Sequence, residues 1–145
     1  MAAMSDYLEN KLIDHIFRAQ SFAAPANLYF ALFTAAPSDS GGGTEVSGGS
    51  YARVTMATAL ANWSGTQGAG STSASSGTSG AASNNIAITF PTPTANWGTI
   101  THFGIFDAVS GGNLLFHGAL TVSKTVNNGD PAPSFAAAAL GVTFA

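Results

Sequence analysis

Between Arg53 and Asp107 the chain carries no Asp, Glu, Lys or Arg. A stretch of that length cannot serve as ordinary solvated surface, since about a quarter of the residues in a soluble domain are charged. It must pack inside, form an uncharged loop, or lie against a neighbour. The whole chain of 145 residues shares the habit, with only 8% charged residues, four basic and seven acidic. A compact monomer of this mass exposes roughly 6,900 Å², so most of that area is neutral. The remaining composition excludes several classes. With 46% apolar residues and ten phenylalanines, the chain can bury a core and is no disordered tail. A net charge of −3 gives no electrostatic footprint for nucleic acid. The lack of cysteine excludes a disulfide framework, a thiolate-bound zinc and a thiol nucleophile. The length suits a single domain over 1–145. No run of 18 apolar residues occurs, nor a basic segment followed by an apolar one, so neither a membrane span nor a secretion signal is expected.

The charges crowd the start of the chain, at Asp6, Glu9, Lys11, Asp14 and Arg18. Leu8, Leu12, Ile13, Ile16 and Phe17 recur there with the spacing of one helical face, which predicts a helix over 5–19. Asp6 with Glu9 reads as a capping box, and Asp14 with Arg18 as an i,i+4 pair worth about 0.2–0.5 kcal/mol. So short a helix is marginal alone. Its apolar stripe must dock on its own domain or on a neighbouring chain.

From residue 27 onward the pattern is that of strands. Residues 28–33, Leu-Tyr-Phe-Ala-Leu-Phe, are apolar on both faces and stop at a run of turn formers around Gly41, Gly42 and Gly43, as a strand covered on both sides would. Residues 51–58 alternate more weakly, and Ile86, Ile88 and Phe90 alternate up to Pro91. Residues 99–107 and 114–121 flank a glycine turn and predict a hairpin. Residues 121–126 and 140–144 supply two further strands. Between Ser64 and Asn85 almost every residue is Gly, Ser, Thr, Ala or Asn. That tract buries too little apolar area to offset its ordering entropy, roughly 1–2 kcal/mol per residue, and reads as a flexible polar loop or arm at 64–85. The expected fold is all-β, an antiparallel β-sandwich or jelly roll over 27–145 with an N-terminal α-helix. Its core draws on Leu28, Phe30, Leu32, Phe33, Ile100, Phe103, Ile105, Phe106, Leu114 and Phe116.

Catalytic patterns are thin. A glycosidase needs two carboxylates facing across a cleft, and outside the helix only Asp39, Glu45, Asp107 and Asp130 remain, all in or beside turns where such residues commonly cap or solvate. No Gly-x-Ser-x-Gly and no phosphate loop occurs. Arg53 and Lys124 are single charges, expected to be solvated or paired. If Asp107 pairs with Asn113 across the hairpin, then Phe106 faces Leu114, Gly104 faces Phe116, Phe103 faces His117 and His102 faces Gly118. This register sets a large side chain opposite each glycine and puts His102 and His117 on opposite faces. A slip of one residue would bring them together. Neither they nor His15 is expected to bind metal, and no cofactor is expected.

Taken in order, residues 7–18, 28–37, 42–53, 97–107 and 111–118, including Trp97-Gly98-Thr99, Phe103-Gly104-Ile105-Phe106-Asp107 and Leu114-Leu115-Phe116-His117-Gly118, resemble a family of small tailed-bacteriophage virion proteins. Members of that family are often labelled tail fibre protein, and a jelly-roll chain of this size also resembles capsid cement or decoration proteins. One departure is the run from Ala136 to Ala139, where the resemblance leads one to expect a glycine before the last strand. The resemblance implies a non-enzymatic structural protein, made in the host cytoplasm and carried on the outer capsid surface. Its expected partners are the major capsid protein and copies of itself, as a homodimer or homotrimer, with no direct contact to nucleic acid or membrane. Tyr7, Lys11, Arg18, Trp63, Asn84 and Asn85 are the interface candidates. The alternatives are a tail-associated fibre or adaptor protein, and a carbohydrate-binding module using Trp63, Trp97 and Tyr51.

Overall fold

The run that is apolar on both faces becomes the centre of the molecule. In the computed structural model, which describes residues 2–144, it lies in β2 (Asn27–Ala35), whose residues 30–33 are buried. On one side β2 pairs with β7 (Gly98–Phe106). On the other it pairs first with β4 (Val54–Ala57) and then with β3 (Thr44–Glu45), which share one edge. Beyond β7 lies β8 (Leu114–Val126), and beyond that the short β1 (Ala3–Met4). Two ribbons form the facing layer. One pairs β5 (Ala81–Ser83) with β10 (Gly141–Thr143), and the other pairs β6 (Ile88–Thr89) with β9 (Ser134–Phe135). Every pairing is antiparallel, so the chain is all-β with one N-terminal helix, α1 (Asp6–Phe17).

Strand alternation decides what lies between the layers. Phe30 and Leu32 pair with Ile105 and Phe103 and face inward, where they meet Ile88, Phe90, Leu140 and Val142. The rings of Phe103 and Phe90 each meet Phe135 edge-on, at 6.0 and 6.4 Å. Ala31, Phe33, Gly104 and Phe106 point to the other side of the sheet. There Phe33 stacks on Phe106 at 6.3 Å. A Cβ on Gly104 would come within 2.9 Å of the Phe33 ring, so only glycine fits beneath the stack. The sequence-based core therefore divides in two: Phe33, Phe106 and Leu114 belong to a small cluster on the outer face.

The hairpin register also departs from expectation. Phe106 pairs with Leu114 as predicted, but Leu115 is an extra residue, and from there Ile105 pairs with Phe116, Phe103 with Gly118, and Gly104 with His117. The rule of a large side chain opposite each glycine holds in this register too, so it could not discriminate. A larger bulge follows: between the pairs Ile100 with Lys124 and His102 with Ala119, Thr101 alone opposes Leu120, Thr121, Val122 and Ser123. Residues 121–126, expected as a separate strand, are the continuation of β8. The bulge twists the outer edge of β8 away from regular pairing just where β1 no longer covers it.

Residues 64–85 are not a free arm. Ala81–Ser83 is strand β5, and the rest folds back on itself. Gly65 N donates to Ser71 Oγ at 2.8 Å, Gly77 N to Thr66 Oγ1 at 2.8 Å, and Gly70 N to Asn85 Oδ1 at 2.9 Å. Main-chain groups that would otherwise be orphaned are met by the tract's own hydroxyls and amides, a role its Ser, Thr and Asn content suits. Just before β10, Ala138 adopts φ +64. This is the left-handed region where the family resemblance leads one to expect glycine, and it costs an L-residue about 1–2 kcal/mol. Replacing Ala138 with Gly should raise the unfolding free energy by about 0.5–1 kcal/mol, after the greater unfolded-state entropy of glycine is offset. A urea titration will read the gain as a higher midpoint with unchanged slope.

The helix begins one residue earlier than its predicted cap arrangement. Ser5, not Asp6, is the N-cap: its Oγ accepts from Leu8 N at 3.3 Å and donates to the carbonyl of Leu114. Ser5 N donates to Leu115 O and Asp6 N to Asp39 O, both at 3.0 Å. The helix is thus pinned by its first turn to the start of β8. Only Leu8 of its apolar residues is buried. Leu12 is half-buried, while Ile13, Ile16 and Phe17 are exposed by 50%, 66% and 79%. The chain returns by way of Phe22, whose N–H donates to His15 Nδ1 at 3.3 Å. The far half of α1 therefore projects from the sandwich. The surface of 7512 Å² exceeds the roughly 6,900 Å² of a compact monomer of this mass.

Candidate functional site

A broad open cleft of about 610 Å³ lies on the outer face. It lies between the first turn of α1, the glycine loop 39–43 and the hairpin turn 107–113. Its wall holds a partly buried charge cluster. Arg53 Nε and Nη2 donate to Glu45 Oε1 and Oε2 at 2.9 and 2.7 Å, and Nη1 donates to the carbonyls of Ala108 and Gly111 at 2.9 and 2.8 Å. The guanidinium lies 3.6 Å from the Phe106 ring centroid, in the stacking arrangement that arginine favours. Here β3, the start of β4 and the hairpin turn are clamped together. With four of its five N–H groups engaged and both Glu45 oxygens taken, the pair is committed to holding the fold.

Tyr51 completes this cluster from the inner side. Its hydroxyl donates to Glu45 Oε1 at 3.0 Å and accepts from Leu32 N at 2.9 Å. Burial pushes the phenol pKa well above its usual value, and the Glu45 carboxylate beside it adds to the rise against the lowering effect of the Leu32 N–H and Arg53. The sign follows from linkage. The unfolded chain releases this proton near pH 10 while the folded one keeps it, so the stability is intact below pH 10 and falls as pH rises beyond it. The Tm of the wild type should decline across that alkaline range, and Tyr51→Phe should flatten the decline.

The remaining candidate chemistry is committed to the fold. Asp107 accepts from Asn113 N and Nδ2, both at 2.7 Å, and holds the hairpin turn. Asp130 accepts from Asn127 N at 2.8 Å. Asp39 lies 2.9 Å from His117 Nε2. The extra residue at Leu115 puts His102 and His117 on the same face of the sheet, not on opposite faces as expected. Each turns to a different partner, since His102 Nδ1 meets Thr101 Oγ1 at 2.8 Å. Among the described residues no three His, Cys, Asp or Glu are placed to hold a metal ion.

The predicted interface residues scatter. Tyr7 and Lys11 lie together at the cleft end of α1, with the ammonium 5.6 Å from the ring centroid. Arg18 is exposed and pairs with Asp14 at 2.8 Å. Trp63 stacks on Phe30 at 5.9 Å, and its indole N–H finds no partner. Asn85 ties residues 60 and 71 to the polar tract. Asn84 is corrected outright. It is 0% exposed, its Nδ2 donates to Ile86 O and Ala136 O at 2.8 Å each, and its Oδ1 accepts from Leu140 N at 2.9 Å. A side chain so placed joins the two ends of the facing layer and cannot meet a partner. Nor do the aromatics form a sugar platform: Trp97 is buried with its Nε1 donating to Gly49 O at 2.9 Å, and Tyr51 is spent on Glu45. The exposed apolar surface is made of the helix end, whose stripe the sequence marked as needing a partner, and of Val122 on the β8 bulge, which is 77% exposed and which sequence reasoning overlooked. The signal for the first was the helix length, too short to hold its own stripe down.

The polar side chains described above hold turns and layers, and beside them stands an exposed apolar helix end. The chain belongs to the family described as Podophage GP4 fiber I protein gp80, whose family model matches residues 3–143. It is a bacteriophage virion structural protein. No curated protein matches the chain.

Proposed function

We propose that the chain is a non-enzymatic subunit of the virion's fibre apparatus, assembled with copies of itself. The observation that carries this reading is the family match, which runs from residue 3 to residue 143 and so takes in the helix and both layers. The fibre description of that family favours the tail-associated alternative over the capsid-decoration reading. The second reading keeps one point in its favour. A chain with only 8% charged residues has few ions to desolvate against a lattice of major capsid protein, where each unpaired one would cost several kcal/mol. An electron cryomicroscopy map of the intact particle tests both. Density for this fold at a fibre supports the first, and density spread over the outer shell between capsid subunits replaces it with the second.

A further inference from the structure

We infer that copies of this chain join head to tail: the projecting apolar end of α1 on one copy seats in an apolar mouth at the far end of β8 on the next, with Glu9 of the first meeting Lys124 of the second. This rests on the reading of the chain as a subunit that assembles with copies of itself.

The first half of the contact is the helix. Glu9, Ile13, Ile16 and Phe17 follow one another at the spacing of a single helical face, the face turned away from Leu8. A helix of 12 residues is marginal without tertiary support, and here the support ends at the first turns. The second half lies where the β8 bulge parts the layers. A recess of about 70 Å³ opens there between Leu32, Phe90, Ile100 and Phe135, with Lys124 at its rim. Val122 stands outside it, 77% exposed. The recess has room for the tip of one side chain.

Charge says which surface fits which. Arg18 and Arg53 are paired with Asp14 and Glu45. Among the described residues Glu9 and Lys124 have no oppositely charged partner within 4.0 Å, and the other cation without one, Lys11, lies over the Tyr7 ring on the same helix as Glu9. Glu9 sits on the apolar stripe and Lys124 at the apolar mouth, so seating the helix satisfies both. Pairing two helix stripes about a two-fold axis would bring Glu9 against apolar side chains and leave Lys124 unmatched. The two halves cannot meet within one copy. The helix is pinned at Leu114 and Leu115, and Lys124 lies at the other end of the same strand, roughly 20–30 Å away at about 3.3 Å per residue less the bulge. A contact between different patches of identical chains closes into a ring or runs on as a filament. For a ring of this kind the trimer is the smallest natural closure.

The test uses two full-length variants, Phe17→Asp and Val122→Asp, at positions exposed enough that the fold should keep its Tm. Sedimentation velocity from low to high micromolar concentration should show the wild type associating and each variant monomeric. Mixing the two variants should give a one-to-one pair, because the Val122→Asp copy keeps an intact helix and the Phe17→Asp copy an intact mouth. Glu9→Lys and Lys124→Glu should each weaken association about fivefold, and the double swap should restore it. Ile16→Ser, on the same helical face, repeats the first arm if Phe17→Asp loses its fold. If the wild type associates but the mixture stays monomeric, the head-to-tail contact is wrong while the assembly reading stands. A wild type that is monomeric throughout overturns both the contact and self-assembly, and leaves placement on the particle to the map.

Discussion

Truncating Phe30 to Ala should lower the unfolding free energy by about 3–5 kcal/mol, the range for emptying a fully buried aromatic site. Phe30 is 1% exposed, and it is the inward residue at which three strands meet, paired with Val54 on one side and Ile105 on the other. Its ring also carries Trp63, stacked at 5.9 Å. The indole would lose its support when the ring is removed, so collapse into the cavity brings a second disturbance. Domains of this size hold only about 5–15 kcal/mol in all, and the variant should melt far below the wild type. A loss under about 1 kcal/mol in urea titration would mean that β2 is peripheral to the cooperative unit.

Asn84→Ala should cost about 3–5 kcal/mol by a different route. No large cavity opens, but the carbonyls of Ile86 and Ala136 and the N–H of Leu140 lose their partner. Each buried group left unmet costs about 1–3 kcal/mol, and some of that is recovered where water can enter. The damage should be local as well as global. Hydrogen exchange at the amides of Leu140 and Val142 should accelerate more than at the amides of β2, because Asn84 holds the end of the facing layer and not the large sheet. Asn84→Asp discriminates further. A carboxylate there keeps the acceptor for Leu140 and loses the donor to two carbonyls, so it should be no milder than alanine.

Much of this architecture was legible in the order of residues. The alternation of Ile88 and Phe90, the double-sided run of β2 and the glycine turn at 111–112 each carry a local signal, and each formed where it pointed. What the sequence concealed depends on contacts between distant segments. The two-residue strands β1 and β9 have no pattern of their own and exist only because an edge is waiting for them. The extra residue at Leu115 is set by Ser5 N and Oγ reaching the carbonyls of Leu115 and Leu114, a link no hairpin rule contains. Asn84 looks like any other residue of a polar tract until Ile86, Ala136 and Leu140 surround it. Glu45 and Arg53 read as two isolated charges, because the loop that brings them together contains none. For the helix, spacing identified the stripe correctly, and only the structure could show that its own domain covers one residue of it fully.

The four-residue bulge in β8 has a consequence for how copies can accumulate. Wherever identical chains stand at high local concentration, a flat strand edge recruits extended segments and grows without a set size. Residues 120–123 face Thr101 alone, so their main-chain groups keep no regular spacing for an incoming strand to copy. Backbone templating is disfavoured along that stretch, so any contact made there depends on side-chain fit. Under the head-to-tail contact proposed above, growth would then follow one fitted surface per end and not any extended segment that arrives.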